Sequence, residues 1–317
     1  MIIDTGGAGF IGSNLIRKLN SNGIHEILII EDLSDGHKIQ NIADLKVVDY
    51  IDKNDFSTLL ASSVTLLGNI DAIFHLGACV DTVQWDGKYM MKENFDYSKR
   101  LANFCLLQRI PLIYASSAAV YGNGENFDED KEYERPLNIY AYSKFLFDQY
   151  VRHNISRFES LIVGLRFFNV YGRGEDHKGT MASVIAHFNA QLLSTGKIKV
   201  FEGSHGYEAG LQSRDFIHVD DVVNVTFWFL HQARSKSGIY NCGSGKAVTF
   251  KTVAEAVIDW HGQGTIEYIP FPDQLIDYYQ PFTCANLEKL RIAGYLDNFK
   301  DIRKGVEEYL SWLNSSD

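Results

Sequence analysis

The chain has 317 residues, 45% hydrophobic and 22% charged, with a formal net charge of −10. This composition belongs to a folded globular protein. It argues against broad nucleic-acid binding, while leaving room for a local basic pocket that takes an anionic small molecule.

No stretch reaches the ~18 consecutive apolar residues of a membrane helix, and the start lacks the basic leader of a secreted chain. A cytoplasmic location without membrane contact is therefore expected. Cys79, Cys105, Cys242 and Cys284 form no CxxC pair and precede no histidines at zinc-finger spacing, so reduced thiols and no metal are expected.

In chain order, short apolar runs at 1–3, 26–30, 72–76, 112–116 and 161–167 predict strands, separated by lengths that suit helices. Residues 13–20 and 96–109 carry apolar residues at helical spacing, and 300–313 predicts an amphipathic helix. This alternation predicts an α/β fold, a Rossmann-type doubly wound parallel sheet. From about residue 172 the pattern loosens into glycine-rich turns. We therefore expect a cofactor-binding unit over 1–171, to which about 215–245 returns, and a smaller interleaved region, mainly substrate-binding, over 172–317.

The first strand runs into Gly6-Gly7-Ala8-Gly9-Phe10-Ile11-Gly12 and then a helix. Glycines at 6, 9 and 12 allow a tight turn and a close approach to a pyrophosphate, and the helix start offers free N–H groups to it. This predicts a nicotinamide dinucleotide site. Glu31-Asp32 at the end of the second strand suits ribose hydroxyls and NAD. Lys38 and Lys53 could instead hold a 2′-phosphate, though as residues alone both read better as solvated surface groups. Asp4 departs from the pattern, placing a carboxylate where the strand is to be buried; it needs a partner or it weakens the strand.

Tyr140 and Lys144 lie four apart and share a helix face. A phenol of pKa ~10 becomes a useful base only when cations stabilise its phenolate. Ser117, ending the fourth predicted strand, lies at the sheet edge where ligands bind and could hydrogen-bond a reacting oxygen; a Ser-Ser pair is otherwise a turn or cap.

Taken together, the glycine turn, Ser117, Tyr140 and Lys144 resemble the extended short-chain dehydrogenase/reductases that modify nucleotide sugars. The stretches 85–91, 142–148, 166–172, 177–183, 201–204 and 266–273 resemble more narrowly the ADP-L-glycero-D-manno-heptose 6-epimerase family of lipopolysaccharide biosynthesis, over residues 1 to about 313. That resemblance implies inversion at C6 of an ADP-heptose through a 6-keto intermediate, using tightly held NADP, with NAD as the alternative. It implies Ser117, Tyr140 and Lys144 as a catalytic triad and Lys178 as a second acid/base group; on its own Lys178 reads as a surface loop lysine.

It further implies cofactor contacts at Phe10, Ile11, Glu31, Asp32, Lys38, Lys53, Leu76, Gly77, Ala78, Asn94, Lys144 and Val170. Substrate contacts are implied at Asn169, Thr180, His187, Phe201, Glu202, Gly203, Ser204, Arg214 and Tyr279, and a homo-oligomer, a pentamer, is implied as the assembly. A guanidinium at Arg214 suits a pyrophosphate; its bland alternative is an ion pair with Asp215 or Asp221. Departures from the family are Asp4, Arg173 in place of a usual proline, Glu93 where an asparagine is frequent, and a longer connection over 205–212. A UDP-hexose 4-epimerase is the runner-up, and it leaves Lys178 unexplained. A non-catalytic cofactor sensor would not need the Tyr/Lys pair.

Overall fold

The computed structural model describes residues 1–61, 68–82, 84–273, 276 and 279–315. Its strands are β1 (Ile2–Thr5), β2 (Ile27–Glu31), β3 (Asp49–Asp52), β4 (Ala72–His75), β5 (Leu112–Ser117), β6 (Ile162–Phe167), β7 (Asn169–Tyr171), β8 (Lys197–Phe201), β9 (Ser213–His218), β10 (Gly238–Cys242), β11 (Ala247–Thr249) and β12 (Thr265–Ile269). Its α-helices are α1 (Phe10–Ser21), α2 (Lys53–Ala61), α3 (Gly87–Met90), α4 (Tyr97–Gln108), α5 (Ile139–Asn154), α6 (Val184–Thr195), α7 (Val219–Leu230), α8 (Phe250–His261), α9 (Glu288–Ala293) and α10 (Ile302–Leu313).

Seven strands pair in the order β10-β6-β5-β4-β1-β2-β3, every neighbouring pair parallel. Strands buried on both faces need apolar residues throughout, and β1, β2, β4 and β6 are buried along their whole length. One face packs on α1 and α7 through Leu15, Ile16, Ile29, Val163, Val222 and Phe229. The other packs on α2, α4 and α5 through Ile3, Phe56, Leu101, Phe147 and Val151. The strand order reverses between β1 and β4, which opens a crevice at their carboxyl ends where such sheets bind ligands.

The expected parallel, doubly wound architecture is borne out, with strand ends moved by a residue or two. β3 was not foreseen, because Asp49–Asp52 is a partly exposed edge strand and lacks an apolar run. A second assembly stands over the crevice: β11-β9-β7, the parallel pair β12-β8, and helices α6, α8 and α10 around Ile185, Phe188, Phe216, Val257 and Tyr309.

Asp4 resolves an open expectation. It is fully buried between Ile29 and Phe74, and neither carboxyl oxygen has a hydrogen-bond partner among the described residues. Burial first, and the nearby Glu31 second, push its carboxyl well above the usual carboxylate range, which favours the protonated form.

Candidate active site

The crevice begins at the glycine turn. Gly6 has φ +84°, and a Cβ there would sit 2.5 Å from the Gly77 nitrogen; a Cβ on Gly12 would lie 2.2 Å from the Gly6 carbonyl oxygen. The turn after β1 and the Leu76-Gly77 turn after β4 therefore touch backbone to backbone. Leu76 and Gly77 both donate to the Thr5 carbonyl, at 2.9 and 2.7 Å. α1 starts at Phe10 with Gly9 as its N-cap, and no side chain caps it, so its first N–H groups are free for an anion.

Glu31, Asp32, Lys38, Lys53, Gly77 and Ala78 line one cleft with Gly6. Lys38 bonds the Glu31 carboxylate (3.2 Å) and the Asp32 carbonyl (3.1 Å), while Lys53 pairs with Glu93. The reading of the two lysines as solvated surface groups is corrected: both are partly buried and held over the cleft by carboxylates. Tyr89, Glu93 and Tyr97 also line it and were missed. In the sequence Glu93 reads only as a departure from the family and Tyr97 only as part of a helical pattern.

Asn94 reaches the crevice through a π-helical turn, Met91–Asp96. Its side-chain amide exchanges two hydrogen bonds with the Cys79 backbone (2.8 and 2.9 Å) and donates to Ser143 Oγ (3.1 Å). Beneath it, His75 joins Thr5 Oγ1 (2.6 Å) to Ser98 Oγ (2.7 Å). Burial pushes the His75 imidazole down to about 3, so it is neutral. The cofactor strands and the helix of Tyr140 are thus linked by buried polar groups whose partners are satisfied.

Asn138 caps α5 by accepting from the Ala141 N–H (2.8 Å), which sets the phase of the helix. That phase turns Tyr140 and Lys144 toward the end of β5. The Ser117 hydroxyl lies near enough to the Tyr140 phenol to favour its charged form. Ser117 Oγ accepts from the Ala119 N–H (3.1 Å), so the capping role and the closeness to Tyr140 coexist. Lys144 is buried, and its ammonium donates to the Ala115 carbonyl (2.9 Å). Burial lowers its pKa to about 8 against the opposing pull of Asp148.

Burial raises the Tyr140 phenol above its ordinary value, and Ser117 opposes this. The protein alone therefore moves the phenol away from the range a general base needs. Under α5, Arg166 is buried between Glu134 and Asp148, and Asp148 also accepts from Tyr114 and Ser116, both at 2.9 Å.

Lys178 lies in the 3₁₀ turn Asp176–Met181 and is half-buried, with Nζ 5.2 Å from the centre of the Phe10 ring at the head of α1. Burial lowers its pKa against the pull of Glu175. The surface-lysine reading is corrected by this placement.

Arg214 is 7% exposed, and its guanidinium lies 4.7 Å from the Tyr279 ring centre and 5.7 Å from that of Phe250. The alternative ion pairs do not form. Asp215 accepts from Ser244, Gly245 and Ala285, and Asp221 from the Lys300 N–H. The guanidinium donates to the Ser213 carbonyl (3.2 Å), and burial lowers its pKa against the pull of Tyr279; a buried cation with no carboxylate partner among the described residues suits an anion.

Phe201 ends β8 against Phe271, with ring centres 5.2 Å apart. Gln212 ties the Glu202 carbonyl (3.0 Å) to Ser204 Oγ (3.1 Å). The connection over 205–212 carries His205, whose ring centre lies 6.1 Å from that of Tyr279. His187 bonds the Thr180 carbonyl (3.2 Å). Asn169 is exposed and Val170 half-buried on β7, while Gly203 is exposed on the Arg214 side.

Residues 2–243 match the family model described as the NAD dependent epimerase/dehydratase family. The chain is 53% identical to the ADP-L-glycero-D-manno-heptose-6-epimerase of Alkalilimnicola ehrlichii over 310 residues, 98% of this chain and 96% of that one. Among solved structures it is similar to the Helicobacter pylori ADP-L-glycero-D-manno-heptose-6-epimerase, with TM-score 0.85 and 27% identity over 99% and 96% of the two chains. It shares its fold with the UDP-N-acetylglucosamine 4-epimerase of Methanobrevibacter ruminantium, with TM-score 0.84 and 24% identity over 98% and 97%. A glycine turn backed against β4, a Ser-Tyr-Lys set at the end of β5 and near-full-length likeness together lead to one statement: the chain belongs to the NAD dependent epimerase/dehydratase family and, within it, to the ADP-L-glycero-D-manno-heptose-6-epimerases.

Proposed function

We propose that the protein inverts C6 of the heptose in ADP-D-glycero-β-D-manno-heptose, giving the L-glycero epimer for the inner core of lipopolysaccharide. The observation that carries this reading is a half-buried Lys178 over the head of α1, in addition to the Ser117–Tyr140–Lys144 set. Simple dehydrogenation needs one acid/base group. Inversion at C6 through a ketone presents the carbonyl in two orientations, and a second group can serve the orientation that the first does not reach. Tyr140 serves one epimer and Lys178 the other, and Ser117 holds the reacting oxygen. A UDP-hexose 4-epimerase would leave Lys178 without a task.

The touching turns at Gly6 and Gly77 and the Glu31/Lys38 pair fit a dinucleotide, with Phe10 and Ile11 at the pyrophosphate. When bound, it accepts and returns the hydride. Lys38 and Lys53 beside Glu31 and Asp32 favour NADP over NAD, because freed ammonium groups would meet a 2′-phosphate. Lys38→Ala is expected to weaken NADP binding about tenfold relative to NAD, read by titration of both. Arg214, with Tyr279 beside it, takes the ADP pyrophosphate. Asn169, Thr180, His187 and Phe201–Ser204 take the rest of the substrate.

The unit over 1–171 with 215–245 carries the cofactor, and 172–317 carries mainly the substrate. We place the enzyme in the cytoplasm as a homo-oligomer, a pentamer by its family likeness. No helix among the described residues is long and apolar enough to cross a membrane. Proton NMR with ADP-D-glycero-D-manno-heptose tests the reading: inversion at C6 is expected. An unchanged heptose beside inversion at C4 of UDP-glucose would replace it with the runner-up.

A further inference from the structure

The segment that carries Lys178 has little apolar anchorage. From Arg173 to Ser183 only Gly174 and Glu175 are buried, so its shape must come from polar contacts. Three side chains supply them. Asn14 on α1 donates to the Phe10 carbonyl (2.8 Å) and to the Arg173 carbonyl (2.7 Å). Glu175, fully buried, accepts from the Ser183 N–H (2.5 Å) and hydroxyl (2.6 Å) and so ties the two ends of the segment together.

Asn41 closes the arrangement. Its Nδ2 lies 3.1 Å from the Ala8 carbonyl in the glycine turn, 3.2 Å from the Gly174 carbonyl and 3.2 Å from Nδ1 of His177. One amide group thus joins the cofactor turn to both the start and the middle of the Lys178 segment. Burial and the nearby Lys38 and Lys178 lower the His177 pKa against Asp35 and Glu31, which favours the neutral imidazole, a form with a lone pair that can accept. A carboxylate of the same shape could donate to none of these three acceptors and would be repelled by two carbonyl oxygens.

We infer that Asn41 is a positioning residue for the reaction, its side-chain amide fixing the His177–Lys178 turn against the cofactor-binding glycine turn so that Lys178 keeps its place over Phe10. This rests on the two-base reading above. Misplacing a reacting group by about 1 Å can cost ~100-fold in rate. A loop released at Asn41 should therefore slow the half-reaction that uses Lys178 and spare the one that uses Tyr140.

The test uses the full-length enzyme with bound NADP. Cofactor reduction at 340 nm is followed in single turnovers started from each C6 epimer, for wild type, Tyr140→Phe, Lys178→Met, Asn41→Asp and Asn41→Ala. Tyr140→Phe should silence one epimer and Lys178→Met the other. Asn41→Asp should slow the Lys178-dependent epimer ~10–100-fold, leave the other within about threefold, and lower overall kcat with little change in KM. Asn41→Ala gives the same pattern more weakly and serves if the carboxylate variant does not fold; melting temperature and cofactor content show that each variant is intact. An impaired Lys178→Met beside unimpaired Asn41 variants overturns the inference alone, as does an equal loss with both epimers. Full turnover by Lys178→Met overturns the two-base reading and the inference with it.

Discussion

The two sides of the crevice are built differently. On the dinucleotide side, backbone does the positioning: Gly6 against Gly77, a bare helix start at Phe10, and parallel strands buried on both faces. On the substrate side, buried polar side chains do it: Glu175 closing a loop, Gln212 linking Glu202 to Ser204, and Arg214 held among aromatic rings. Backbone positioning tolerates sequence change wherever glycine is kept. Positioning by side chains is specific and breaks one residue at a time.

The largest effect should come from the reacting groups. Tyr140→Phe and Lys178→Met are each expected to lower the epimerisation rate ~10²–10⁴-fold, the usual range for a general acid or base, with cofactor content unchanged. Near-native turnover in either, measured by product NMR, would remove the division of labour between the two sides. Next, Arg214→Leu should raise KM for the ADP-sugar about tenfold or more, because a charged hydrogen-bonded contact contributes ~1.5–3 kcal/mol, and should leave NADP binding unchanged. A parallel loss of NADP affinity, read by calorimetry, would show that the two sides are not separate.

The smallest effect concerns stability on the backbone side. Asp4 has a folded-state pKa raised by burial, so folding favours its protonated form. Its contribution to stability is fully present below the unfolded value of ~3.9 and is lost as pH rises from there through the folded pKa. Asp4→Val should therefore stabilise the protein by about 1–3 kcal/mol at neutral pH and by less near pH 4. Melting temperatures of the two proteins should converge on acidification. A constant gap from pH 4 to 8 would mean that Asp4 is ionised in the folded state.

This contrast explains what could be read in advance. The glycine turn and the Tyr140/Lys144 pair are local spacings, and they were legible because five to seven consecutive residues contain the whole signal. The parallel sheet was legible for the same reason, in runs such as Ile27–Ile30 and Ile162–Phe167. The partners of Lys53 and Asn94 were not, since Glu93 and Cys79 come together with them only when a π-helical turn folds against the loop after β4. Nor was the clamp on the Lys178 segment, because Asn41 lies 133 positions before Gly174 and no local pattern marks it. Lys178, Arg214 and Tyr279 were singled out by family likeness; their burial and aromatic neighbours supply the physical reason afterwards. The unfavourable Asp4 was visible at once as a break in an apolar strand, but its lack of a hydrogen-bond partner among the described residues required the packing of β1 between β2 and β4.

The central claim is that one hydride leaves C6 and returns to it within a single residence of the substrate. Substrate deuterated at C6, turned over in ordinary water by enzyme holding an unlabelled nicotinamide cofactor, tests this directly. The account predicts an epimerised product that keeps its deuterium at C6 after many turnovers, with no net change in cofactor redox state. Epimerised product carrying solvent hydrogen at C6 would contradict it.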